Sequence, residues 1–433
     1  MDDKIEHRRL GGGLDNDHYI YTLSGQLKAV NPKDMLIIDV ANGGGHPFSM
    51  ALHYYKSDYR SANGKWKDTY QLPHSSSTST SYNSFTGNIV ASRWKARASN
   101  GVSDLSGHFA YRYRYTRRDE LYQAHFANIV PYSNSSYAGQ ASYISDYYNT
   151  LSYDLNGNIK TLRRYSAGNL VCSGFSLLMD NLTYQYSTTP GQNRLRHIND
   201  SYSYNCTTDE LTSQSTDNYE YNVMGQLVKD VQANHYIEYD SYGRVSKVRN
   251  GTNSSAPILS EYFYGPDGKR VRKRVFSGLS WSTTWYVGMN GKTQAIYQGG
   301  SSCISCTPVH AEVPIYAEER IGAVYPQQSW ENRYELSDQV GNVRAVIRAG
   351  SDGKAEVLSY ADYYPHGWEL PARKLSASPT YRHTFQGQYA EKDEETGWNA
   401  FELRSYDARV GRWMTIDPYR EFHSPYLAFG NQP

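Results

Sequence analysis

The sequence predicts an all-β fold built of consecutive β-hairpins. Three observations carry this. Tyrosine dominates the aromatics, with 42 Tyr against 11 Phe and 8 Trp in 433 residues, and tyrosine favours strands over helices. One phrase recurs along the chain: aromatic or apolar, any residue, Tyr, a turn former, two residues, Gly, any residue, then an aliphatic. The charges balance, with 44 basic and 43 acidic residues, which excludes the cationic excess of a nucleic-acid partner or a polybasic membrane-surface protein. No run of about 20 apolar residues is present to span a bilayer.

The phrase first occurs at Tyr19-Ile20-Tyr21-Thr22-Leu23-Ser24-Gly25-Gln26-Leu27. It is clearest at Leu151-Ser152-Tyr153-Asp154-Leu155-Asn156-Gly157-Asn158-Ile159. It returns around Tyr221 and Gly225, and again around Tyr239, Asp240 and Gly243. A fifth copy, around Tyr264 and Gly268, carries Arg270 where the aliphatic belongs. Residues two apart on a strand share a face. An Asp or Asn bonds its own backbone to open a turn, and Gly takes the φ > 0 position at low steric cost. The residue after the turn begins a return strand, so each copy reads as one hairpin. A degenerate copy at Tyr111-Arg112-Tyr113-Arg114-Tyr115 puts Asp119 in the glycine place, and Asp tolerates the left-handed region better than most residues. The copy at Tyr184-Gln185-Tyr186 has a longer turn containing Pro190-Gly191. A sheet with water on both faces is expected, because tyrosine packs sideways and still solvates its hydroxyl.

Tyr-Asp…Gly-Arg and Tyr-Asp…Gly-Asn in this form resemble the YD-repeat, or RHS-repeat, family. The C-terminal end resembles the RHS repeat-associated core domain. Its segments are Tyr334 to Arg344, Phe385-Gln386-Gly387-Gln388-Tyr389, Asp393 to Gly397, Leu403-Arg404-Ser405-Tyr406-Asp407, Gly411 to Pro418, and Tyr426 to Pro433. Ser405 and Ala408 depart from the usual Tyr and Pro. The resemblance implies hairpins winding into a curved sheet or spiral, a partial hollow shell, in three parts: degenerate N-terminal repeats over 1–140, YD repeats over 141–330, and the core domain over 331–433. Shells of this family are longer than 433 residues, so the chain is expected to be a truncated C-terminal part of one.

The same resemblance implies a structural shell of the polymorphic-toxin type that encloses its own C-terminal effector, which is absent here. Its other partners would be the rest of the shell or a capping protein. Localisation would be secreted or cell-surface associated, through a bacterial secretion system, although Met1 to His7 lacks the apolar run of a signal peptide. The alternative is a cell-surface adhesion protein of the same hairpins, with Trp281 and Trp285 stacking on glycans. The family core resembles an aspartic autoprotease, and its motif falls on Arg404 and Asp417. Such chemistry needs two carboxylates sharing a proton. The second Asp and the scissile bond would lie beyond residue 433, so no enzymatic activity is expected of the chain as it stands. No cofactor is implied.

Other groupings are weaker. Cys303-x-x-Cys306 with His310 offers three zinc-type ligands without an obvious fourth, so a chance inserted loop is the preferred reading. The basic run Lys269-Arg270-Val271-Arg272-Lys273-Arg274 reads as a solvated or lumenal strand face. Asp393-Glu394-Glu395 reads as a solvated turn.

Overall fold

A computed structural model describes residues 7–22, 24–31, 46–55, 86–96, 107–130, 140–143, 146–167, 177–189, 191–202, 210–289, 291–301, 307–376 and 380–432. Among these residues the chain is β throughout, with 3-10 turns at Pro326–Gln328 and Phe429–Asn431 and no α-helix. No helix among the described residues is long and apolar enough to cross a membrane. Cys303 and Cys306 lie outside the described residues.

Nearly every strand pairs antiparallel with the next one in sequence, as hairpin repeats require. A first sheet of 12 strands runs from His7–Leu10 to Leu195–Asp200, and a second of 14 from Tyr219–Tyr221 to Glu369–Leu375. Neither closes into a barrel. Residues 211–214 bridge them: Gln214 donates its backbone N–H to the Ile198 carbonyl, and Ile198 N–H donates back to Gln214 Oε1. A third sheet of four short strands, Glu391–Asp393, Trp398–Ala400, Ser405–Asp407 and Arg412–Trp413, follows.

The repeat turns share one geometry. Gly25, Gly157, Gly225, Gly243 and Gly268 have φ between 79 and 85°, and Asp119 in the glycine place has φ 60°. Asp154 Oδ1 accepts from the N–H groups of Asn156 and Asn158, and Asp240 Oδ1 from those of Tyr242 and Arg244. These bonds open the turn from the side chain. The pairing register shifts at the second tyrosine, so that Tyr153 faces Ile159, Tyr221 faces Leu227 and Tyr239 faces Val245. Three further turns of this kind, closed by Gly341, Gly353 and Gly367 with φ 80, 74 and 87°, follow Ser337, Ala349 and Tyr363.

One face of the sheets is dry, which corrects the expectation of water on both. Leu10, Leu52, Leu121, Leu162, Leu182, Ile198, Leu227, Val248 and Ile347 belong to a single buried cluster spanning both sheets. The sheets are drawn together by groups far apart in sequence. Tyr147 donates to the Pro371 carbonyl at 2.6 Å, and the guanidinium of Arg164 lies 4.3 Å from the Trp368 ring. Burying apolar surface contributes roughly 25 cal/mol per Å², so the alternate aliphatics turn inward and the tyrosines are not left to stabilise a bare sheet.

Candidate functional site

The C-terminal segment lies against the repeat turns. Arg412 Nη1 donates to Asn158 Oδ1 at 3.1 Å and Nη2 to the Asn193 carbonyl at 2.7 Å. Ser424 Oγ also donates to Asn158 Oδ1, at 2.6 Å. Tyr426 donates to the Gly225 carbonyl at 2.7 Å, and Asn431 Nδ2 to the Gly157 carbonyl at 2.8 Å. A methyl group added at Gly157 would stand 2.6 Å from Leu427 Cδ1, and one at Gly225 2.8 Å from Ile416 Cγ2. These glycines therefore serve twice, in the left-handed turn and beneath a chain segment that needs their bare surface.

Within this segment Arg404 and Asp417 meet. Arg404 precedes the strand Ser405–Asp407, in a turn where its carbonyl accepts from Phe401 N–H. Asp417 opens the turn before Pro418, accepting Tyr419 N–H on Oδ1 while its own N–H bonds the Pro425 carbonyl. Arg404 Nη1 stands 3.6 Å from Asp417 Oδ1, and its guanidinium lies 4.2 Å from the centre of the Trp413 ring. Asp417 is buried. Burial lowers the Arg404 pKa from its ordinary value, opposed by the charges of Asp417 and Glu421. The pair offers one carboxylate held beside one cation. General acid-base work on a peptide bond needs a second carboxylate to share the proton.

Part of the basic strand and part of the acidic turn are buried against each other, while Lys269 and Glu394 stay open to solvent. Lys273 Nζ donates to Asp393 Oδ1 at 2.6 Å and to Glu395 Oε2 at 2.5 Å, and Tyr262 donates to Asp393 Oδ2. Arg270 lies 3.5 Å from Glu391, which also receives Tyr286 and Arg382. Asp393 is only 3% exposed. Lys273 holds the Asp393 carboxyl well below its ordinary range despite burial, while burial and the Asp393 hydrogen bond push Glu395 up to about 7. The third sheet thus docks on the second through matched charge. Arg270 replaces the aliphatic of its repeat because its partner is ionic. Glu391, Asp393 and Glu395 alternate along the chain, and that period was the available signal.

The remaining sequence candidates are dispersed. His310 stacks on Tyr297 at 4.7 Å, with Trp330 edge-on. Trp281 is exposed, whereas Trp285 is half-buried and lies against Gly299.

No family model matches the chain. Among curated proteins, salivary gland surface protein 1 of Aedes aegypti is 36% identical over 98 residues, which is 23% of this chain and 3% of that protein. Among solved structures, TcdB2-TccC3 without its hypervariable C-terminal region superposes over 96% of this chain with a TM-score of 0.61 at 14% identity. Intact TcdB2-TccC3 covers 100% of it with a TM-score of 0.55, also at 14% identity. The Photorhabdus luminescens Tc holotoxin pore with a mutated TccC3 covers 96%, at 14% identity and a TM-score of 0.52. The chain spans about a fifth of the TcdB2-TccC3 chains, 18% of the first and 20% of the second. At this identity the likeness establishes the fold alone, a curved all-β arrangement of open antiparallel sheets like that in TcdB2-TccC3.

Proposed function

We propose that this chain is a wall segment of an RHS/YD-repeat shell that encloses a C-terminal effector. The observation that carries the reading is the superposition of almost the whole chain on TcdB2-TccC3, together with a C-terminal segment seated on the turns of its own repeats. Residues 1–140 and 141–330 are the repeat wall, and residues 331–433 the associated core. Arg404 and Asp417 are the part of an aspartic autoprotease carried by this chain, with Arg404 standing beside Asp417. The partners are the effector, the rest of the shell and a capping protein, and the complex is exported.

The test is to express the chain continued through its downstream coding sequence and to look for a cut product after residue 433. Cleavage in the parent and its loss in Asp417→Asn support the reading. A parent that stays whole, or an Asp417→Asn variant cut as fast as the parent, removes the protease assignment and leaves the wall to be judged on its own.

A further inference from the structure

Asp180, in the strand Leu178–Tyr186, is fully buried. Its cross-strand neighbour Arg164 donates Nε to Oδ2 at 2.6 Å, while Oδ1 has no hydrogen-bond partner among the described residues. A buried carboxylate oxygen left bare is costly. Two more carboxylates converge there. Asp200 faces Leu182 across the next strand pair, which puts it on the same side as Asp180. It is oriented by the N–H groups of Asn181 and Tyr202, both on its Oδ1. Glu210 enters from the segment that leads into the second sheet. One oxygen from each of the three lies within 4.8 Å of the others.

All the donors are oxygens, which suits a hard cation and not a thiolate- or imidazole-seeking metal. The three lie close enough together to ligate one such ion.

We propose that Asp180, Asp200 and Glu210 form a binding site for a hard divalent cation that clamps the handover from the first sheet to the second, with calcium as the probe. Leu211 is buried beside it, and Gln214 begins the bridge to Ile198. Arg164 reaches the second sheet from the other side by stacking on Trp368. An ion here ties strand, crossover and facing sheet at one point.

The test uses the full chain, stripped with a chelator, in calorimetric titrations and thermal melts with CaCl₂, MgCl₂ and NaCl of matched ionic strength. Saturable calcium binding up to about millimolar, with a rise in Tm, is expected of the parent. Asp200→Asn and Glu210→Gln, checked for native circular dichroism, should each bind calcium roughly tenfold or more weakly. Asp180→Asn is set aside because it also strands Arg164. Absence of saturable binding to the parent overturns the proposal, as do folded variants that respond like the parent.

Discussion

The Tyr239 hydroxyl donates to the Leu227 carbonyl at 2.6 Å, and the bond joins one repeat to the one before it. Tyr239 is the second tyrosine of its phrase, and Leu227 is the residue that starts the previous return strand. The same bond recurs from Tyr54 to Leu27, Tyr153 to Leu121, Tyr186 to Ile159, Tyr264 to Val245 and Tyr363 to Val343, at 2.5–2.9 Å. Each ring fills the sheet edge near a turn, and each hydroxyl satisfies a carbonyl that the register shift leaves out of the ladder. Phenylalanine would pack as well and leave that carbonyl bare, which is why tyrosine is abundant here.

Tyr239→Phe and Tyr264→Phe should therefore each destabilise the chain by about 1 kcal/mol, the net worth of a hydrogen bond plus part of the cost of a bare carbonyl. Urea unfolding of the variants checks this. A pair of neutral substitutions would mean that the hydroxyls do not join the hairpins.

Glycine substitutions separate turn strain from contact with the C-terminal segment. Gly353→Ala meets open space at φ 74° and should cost about 1–2 kcal/mol for the left-handed backbone alone. Gly157→Ala and Gly225→Ala meet Leu427 and Ile416 as well, so each should cost more than Gly353→Ala in the same unfolding assay.

Removing one partner of the ion pair that docks the third sheet should be severe. Lys273→Met leaves Asp393 buried without its cation and should cost about 3–5 kcal/mol. The double variant Lys273→Met/Asp393→Leu should recover part of that loss, and thermal melts of the two decide it.

Acid should weaken the fold through its buried histidines. Burial lowers His366 and His235 to about 4 and His108 to about 3, with nearby cations adding to each shift. Their folded values lie below the unfolded one near 6.5, so the unfolded chain binds more protons as the pH falls. The stability is complete above about 6.5 and is lost toward pH 4, at roughly 2 kcal/mol per histidine by pH 5. Glu395, raised to about 7, works the other way, since its contribution is present at low pH and fades as the pH rises through 7. Melts at pH 7.5 and 5 should show a net drop, smaller in His366→Phe.

The hairpins were legible because their signals are local: tyrosine, turn former and glycine at a fixed spacing. The turns at Gly353 and Gly367 were missed because Ala349 and the Tyr363-Tyr364 pair break the Tyr-x-Tyr phrase, although the later glycine still stands four residues on. Sequence reasoning also missed Arg412, Ser424, Tyr426 and Asn431, whose partners lie more than 200 residues away. No spacing rule reaches that far. The charged strands misled for a related reason. A basic run looks solvated until its acidic counterpart, some 120 residues on, is folded against it.

The most direct measurement is protease protection of whatever the gene encodes after residue 433. The intact gene product and the downstream part expressed alone are challenged with trypsin in parallel. A shell wall requires that the downstream part survive in the intact product and be digested when alone. Equal digestion in both would contradict enclosure by this chain.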